Sequence, residues 1–258
     1  MNVNGKNYRT IWVKEEDDTI ISIIDQRYLP HQFIIKDLHS VHNVVLAIKD
    51  MQVRGAGLIG ATAAYGMYLA SIEAAATNYF DKHLNASAVA LKNARPTAVN
   101  LEWAVDIQLQ AIAKGASPEE KIKIAKDTAT SIADNDAAYC KKIGEYGVEI
   151  IEQLSEKKKR EVVNILTHCN AGWLAFVDHG SATAPIYEAF ERGIKIHWDA
   201  KTLEELARLG YSPVWGAREL RRIIQEKIED ILADQIILGN IKEGDQIYLK
   251  GLVISEIK

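Results

Sequence analysis

The stretch Val53-Arg-Gly-Ala-Gly-Leu-Ile-Gly-Ala-Thr-Ala-Ala-Tyr-Gly-Met-Tyr-Leu-Ala70 decides between two folds. Its Gly55-Ala-Gly57-Leu-Ile-Gly60 satisfies the spacing of a dinucleotide-binding turn. That reading requires a strand before the glycines, a second strand after the helix, and an acidic residue about twenty positions on. Asn43 to Ile48 passes for the first strand and Asp81 falls at the right count, but Thr77 to Asn93 contains no β-branched run to form the second. The stretch is therefore read as a Gly-rich helix start. Two roles remain open for its glycines. Arg54 and the free amides of a Gly-rich helix start can receive one phosphate, because unpaired N–H groups and the positive end of the helix dipole favour an anion. Three glycines serve equally well for a tight turn and close helix packing.

Upstream, the β-branched clusters at Arg9 to Val13 and Thr19 to Ile24 flank Glu15-Glu16-Asp17-Asp18 and read as a hairpin. Downstream, helical patterns run to about residue 155. Ser117-Pro118-Glu119-Glu120 is a helix start, with Ser as cap, Pro at the first helical position and Glu120 closing a capping box. Arg95-Pro96 precedes another, with Pro96 as its first position, which sets a guanidinium beside free amides; a surface ion pair is the competing role. Glu161 to Thr167 reads as a buried strand ending in His168-Cys169-Asn170-Ala171-Gly172. A helix over Thr183 to Arg192, closed by Gly193, and a strand over Ile194 to Trp198 complete one βαβ unit.

Cys169 thus stands at a strand end, where ligand sites of open α/β sheets gather. Its thiol can move a proton if neighbouring dipoles lower its pKa, but unassisted cysteines are mostly inert. Cys140 reads as a core residue of an amphipathic helix.

Past Trp198 the pattern changes to helix, loop, helix, hairpin. Ile224, Ile228, Ile231 and Leu232 recur at helical spacing within Gly216 to Asn240, and Gln246 to Leu249 pairs with Val253 to Ile257 as a terminal hairpin. The joint carries no Gly/Ser/Pro linker between Ile196 and Leu203.

A chain of 258 residues with 48% hydrophobic and 26% charged residues is long enough for two cored units of ordinary globular composition. A formal charge of −4 gives no electrostatic reason to expect nucleic acid or an anionic membrane as partner. No apolar run reaches about 18 residues, so no membrane span is expected. Two cysteines without a CxxC pair and without a preceding secretory signal suit a cytoplasmic setting. The histidines do not combine with Cys or carboxylates at metal-ligand spacing; no metal and no cofactor are expected.

Taken together, the Val53 stretch, ARPTAVNLEWAV from Ala94, IGEYGVEII from Ile143 and ILTHCNAG from Ile165 resemble methylthioribose-1-phosphate isomerases, relatives of the regulatory subunits of translation initiation factor 2B. The resemblance covers residues 1–198. It implies an α/β fold, with an N-terminal hairpin and helical domain over 1–155 and a truncated Rossmann-like parallel sheet over 156–198. It also implies aldose–ketose isomerisation of a 5-substituted ribose 1-phosphate of the methionine-salvage type. Arg54, Gly55, Ala56 and Arg95 would hold the phosphate, Cys169 would be the catalytic thiol, and Gly180 to Ala184 the following helix start. The chain departs from the family in two ways. Gly57-Leu58 replaces the Pro-Ala of many members, and the substrate-contacting Gln and catalytic Asp that follow the Trp198 strand have no counterpart, which implies impaired turnover. Residues 199–258 resemble the small C-terminal α+β subdomain of Clp-type AAA+ unfoldases, with Gly216-Ala217-Arg218 matching its sensor motif. Without a phosphate-binding loop in the chain, Arg218 has no nucleotide to sense. The partners expected are a small-molecule sugar phosphate and, through self-association, further copies of the chain. The alternatives are a non-enzymatic regulatory or oligomerisation protein, or an artefactual or engineered fusion.

Overall fold

The computed structural model describes residues 1–3, 5–158, 163–192, 235, 238–240, 247–250 and 253–257. The chain divides into two compact units, Met1–Ile194 and Lys195–Lys258.

The first unit opens with a two-stranded ribbon, β1 (Asn2–Val3) and β2 (Lys6–Asn7). Three antiparallel strands follow in sequence order: β3 (Ile11–Val13), β4 (Ile21–Ile24) and β5 (Ile35–Leu38). The expected hairpin forms, with Ile11 opposite Ile23 and Val13 opposite Ile21. Its third strand, β5, carries Lys36 and Asp37 between Ile35 and Leu38 and gave little apolar signal. Asp37 accepts from Ser22 at 2.7 Å and pairs with Lys14, so β5 is tied to its neighbours through polar groups.

Five helices follow: α1 (Val41–Lys49), α2 (Ala56–Ala75), α3 (Phe80–Ala94), α4 (Val99–Ile112) and α5 (Pro118–Lys157). Asn43 to Ile48, which could pass for a strand, lies inside α1, capped by Ser40 accepting from the Asn43 amide at 3.1 Å. The helix α3 occupies the region where a dinucleotide fold needs its second strand. Small and apolar all round, α2 is buried on nearly every side and packs against α1, α3, α4 and α5. Gln108 of α4, fully buried, donates to the carbonyls of Ala64 and Ala125 at 3.1 and 2.9 Å and so links three helices. Ser117 caps α5 by accepting from Glu120 N at 3.2 Å, while the Glu120 carboxylate reaches back to Ala116 N at 2.7 Å, one residue before the cap.

Between α5 and α6 (Ala184–Glu191) the structure corrects the expected strand. Over its described residues, Val163 to His168 is irregular and mostly exposed, with Leu166 at 89%. A strand with one such face has nothing to bury. Among the described residues every sheet is antiparallel, so the parallel Rossmann-like sheet is not present there. The expected strand over Ile194 to Trp198 lies outside the described residues. The predicted α6 does form, and packs on α5 where Gly144 and Gly147 leave room for Ala184 and Pro185.

Of the second unit, β6 (Ile247–Lys250) and β7 (Val253–Ile257) form the expected antiparallel hairpin, with a bulge between Tyr248 and Leu249. Most of the helix expected over Gly216 to Asn240, and Arg218 within it, lie outside the described residues. Gly239 adopts a positive φ of 74°.

Candidate active site

The start of α2 is bare. Gly55 stands at its cap with φ 100° and ψ 149° and no side-chain hydrogen bond to the helix. The first intrahelical bond runs from Ile59 N to Gly55 O at 3.0 Å. The amides of Ala56, Gly57 and Leu58 therefore have no acceptor among the described residues, and of the three residues only Ala56 is exposed. Arg54, half-buried, precedes them. The positive end of a 20-residue helix thus sits next to a guanidinium, an anion-favouring arrangement.

A loop, residues 171–183, folds onto this helix start. Its 3-10 turn, Trp173–Ala175, lies so close that a Cβ on Gly55 would fall on the backbone of Ala175. Four ties hold it. Gln26, buried, donates to Leu174 O at 2.6 Å and accepts from Arg54 Nε at 3.2 Å, coupling the guanidinium to the loop. Thr10, also buried, donates through its hydroxyl to Phe176 O at 2.6 Å and through its amide to Val177 O at 3.0 Å. Asp136 of α5 accepts from Val177 N at 2.7 Å, and its other oxygen lies where a Cβ on Gly57 would be. Ser181 N donates to Ala171 O at 3.0 Å, closing the loop on itself. The open spacing of Gly55 and Gly57 thus serves close approach by the loop as well as the amides.

Burial raises the Asp136 carboxyl above the usual carboxylate range, against the lowering effect of the Val177 amide. Burial also pushes the Cys140 thiol up to about 12, aided by the Asp136 and Asp178 carboxylates. Cys140 is thereby an inert core thiol, as expected from its place in α5.

Arg95 follows the last residue of α3, and the expected start of the next helix at Pro96 is displaced to Val99. The Nη1 of Arg95 is buried with no hydrogen-bond partner among the described residues. The start of α4 approaches α2 where Gly60 lies against Asn100, 3.1 Å from its carbonyl oxygen to an added Cβ. Cys169 is exposed, in irregular backbone at a positive φ of 69°, two residues before the anchored loop. It does not stand at the end of a buried strand. A groove of about 590 Å³ opens elsewhere, on the N-terminal sheet by Tyr8, Trp12 and Lys14, and none of the expected site residues line it.

Gln26, Thr10 and Asp136 escaped the sequence reading. Only Asp136 left a signal: a carboxylate inside the small-residue stripe Ala129, Ala133, Ala137, Cys140 of α5. No described group of three or more His, Cys, Asp or Glu could hold a metal ion, and no described helix is long and apolar enough to cross a membrane.

Helices packed with a small antiparallel sheet, and a loop tied over the start of α2 beside Arg54, place this unit among mixed α/β folds. Comparison supplies the family. Residues 52–199 match the profile of the initiation factor 2 subunit family, and the chain belongs to it. It is 49% identical over 212 residues to a methylthioribose-1-phosphate isomerase of Desulfatibacillum aliphaticivorans, covering 81% of this chain and 58% of the relative. A Sulfurimonas denitrificans protein of the same name is 43% identical over 263 residues, covering 97% of this chain and 70% of the relative. The crystal structure of 5-methylthioribose 1-phosphate isomerase from Pyrococcus horikoshii OT3 superimposes with a TM-score of 0.62 at 32% identity, over 73% of this chain and 51% of that one. The chain spans little more than half the length of most of the curated relatives it matches. Residues 186–249 also match the C-terminal, D2-small domain, of ClpB protein. The Sulfurimonas alignment runs through that segment too.

Proposed function

We propose that the start of α2 binds the phosphate of a sugar 1-phosphate, and that the protein works in aldose–ketose isomerisation of a 5-substituted ribose 1-phosphate. The observation that carries the reading is the unaccepted amide set of Ala56, Gly57 and Leu58 beside Arg54, whose guanidinium is oriented by Gln26. Arg95, with a buried and unpartnered Nη1, is the second cation for the same anion. Phosphate on the anomeric carbon prevents spontaneous ring opening, so the site must assist it. In this reading Cys169 exchanges the proton. The names of the relatives support the substrate class. A cytosolic setting agrees with two free thiols.

The test is thermal. Ribose 1-phosphate at saturating concentration raises Tm, by linkage of binding to the folded state, and Arg54→Ala abolishes the rise. No shift with ribose 1-phosphate or its 5-methylthio derivative, under conditions where the parent chain is folded, refutes the site. Turnover equal in the parent and Cys169→Ser removes the thiol from the reaction.

A second organisation, for residues 199–258, is favoured by the match over 186–249. We propose that this segment is a small subdomain of the Clp kind, ending in the β6–β7 hairpin, with Arg218 as a remnant of its sensor motif.

A further inference from the structure

Gln26 lies in the turn between β4 and β5 with 1% of its surface exposed. Its backbone is fixed from both sides. Gln26 N donates to Gln52 O at 2.9 Å, two residues before Arg54, and the preceding Asp25 N donates to Ile34 O at 2.9 Å. Asp25, equally buried, is gripped by Arg27 through Nε at 3.0 Å and Nη2 at 2.7 Å, a bidentate pair that closes the turn. From this base the side-chain amide spans two groups of opposite kind. Arg54 Nε can only donate, and it does so to Gln26 Oε1 at 3.2 Å. Leu174 O can only accept, and it takes Gln26 Nε2 at 2.6 Å. A buried side chain that must accept at one end and donate at the other has to be an amide; a carboxylate, an ammonium or an aliphatic chain leaves one partner unpaired. The loop is already fastened at Phe176 by Thr10 and at Val177 by Asp136, so the Gln26 bridge adds what those ties do not, a link to the guanidinium.

We infer that Gln26 is a positioning residue that couples the capture of phosphate at Arg54 to the seating of the 171–183 loop. The ligand in this inference rests on the phosphate reading above, whereas the coupling rests on the bridge alone. A phosphate paired with Arg54 removes the rotamers in which Nε leaves Gln26. With Oε1 held, the plane of the amide is held, and Nε2 stays aimed at Leu174 O. Ordering one end therefore lowers the entropy cost of ordering the other, and by reciprocity a seated loop favours the anion. The loop begins two residues after Cys169, so the bridge joins the anion site to the segment beside the thiol assigned to proton exchange.

Hydrogen exchange of the full chain, read by mass spectrometry over residues 171–183, tests the coupling with and without ligand. In the free chain Arg54→Ala speeds loop exchange about threefold to tenfold, the worth of one hydrogen bond; in a Gln26→Met background, where the loop is already fast, it adds nothing. Gln26→Glu separates the two ends. Its carboxylate still accepts from Arg54 but cannot donate to Leu174 O, so the loop exchanges as fast as in Gln26→Met. Saturating ribose 1-phosphate slows the parent loop by about threefold to tenfold, whereas in Gln26→Met it still raises Tm and leaves the loop rate unmoved. A Gln26 that merely filled space would leave that slowing in place. Exchange of the α4 amides at the parent rate identifies folded variants, and Gln26→Asn, an amide one methylene too short to reach both partners, replaces Gln26→Met should the latter unfold. Additive effects of Arg54→Ala and Gln26→Met in the free chain overturn the inference, as does ligand-induced slowing that survives Gln26→Met. A parent chain whose Tm ignores ribose 1-phosphate refutes the phosphate reading instead, and the free-chain cycle then decides the coupling by itself.

Discussion

Replacing Gly55 with Ala tests whether the loop at Trp173–Ala175 truly rests on the start of α2. At φ 100° and ψ 149°, Gly55 occupies backbone space open in practice only to glycine. Holding an L-residue there costs about 1–3 kcal/mol. The added Cβ would also fall on the Cα, Cβ and carbonyl oxygen of Ala175. Backbone cannot swing aside as a flexible side chain can, and overpacking of this kind adds about 1–3 kcal/mol. The sum is about 2–6 kcal/mol. With a urea m-value of about 2 kcal/mol/M, the midpoint falls by about 1–3 M at unchanged m. Gly5 is the control. It too has a positive φ, 84°, but a Cβ there meets nothing within 4 Å. Gly5→Ala carries only the conformational strain, about 1 kcal/mol, and shifts the midpoint by about 0.5 M. The difference between the two variants, followed by circular dichroism at 222 nm, measures the close approach itself. Equal midpoints for Gly55→Ala and Gly5→Ala would refute the placement of the loop, and with it the coupling of Arg54 to Gln26 and Leu174.

Two further outcomes follow from the buried groups of α5. The Asp136 carboxyl is raised from its ordinary 3.8, so the folded chain holds that proton more tightly than the unfolded one. Its ionisation therefore takes away stability as pH rises through the interval between the ordinary and the raised value, and leaves stability untouched below it. Asn keeps an oxygen for the Val177 amide without the charge; Asp136→Asn should thus gain on the parent as pH climbs from about 4 to 7, and a stability difference flat across that range contradicts the burial argument. Thiol labelling separates the cysteines: Cys169, exposed, reacts in the native chain, while Cys140, buried and pushed up to about 12, reacts only on unfolding. Two fast thiols per native chain would show that α5 is open at Cys140.

Much of the helical unit was legible in the chain because its signals are local. Ser117-Pro118 caps α5 through groups within four residues of one another, and the hairpin of β3 and β4 follows from two apolar clusters around an acidic turn. The choice of helix start over dinucleotide turn also held, since α3 has no β-branched run to make a strand. Where signals were ambiguous or long-range, reading failed. Asn43 to Ile48 has β-branched content but turns helical under a Ser40 cap. Glu161 to Thr167 has the composition of a buried strand, yet over its described residues it is exposed and irregular, because a strand forms only with a neighbour to pair with.

Local pattern along the chain was enough for the helix α2 and its basic, glycine-rich start, whereas Arg54, Arg95 and Cys169 were singled out by the family resemblance and not by their spacing. Periodicity, capping and backbone permissiveness are properties of neighbouring residues, and they can be read along the chain. Only the tertiary structure decided what the glycines are for. Thr10, Gln26 and Asp136 reach the 171–183 loop from a strand edge, a turn and a distant helix, and together they press it onto Gly55 and Gly57. A hydrogen bond between residues 26 and 174, or 136 and 177, leaves no periodic trace. It exists because packing α2 against α5 brings those groups to one place, and burial then obliges each to find a partner.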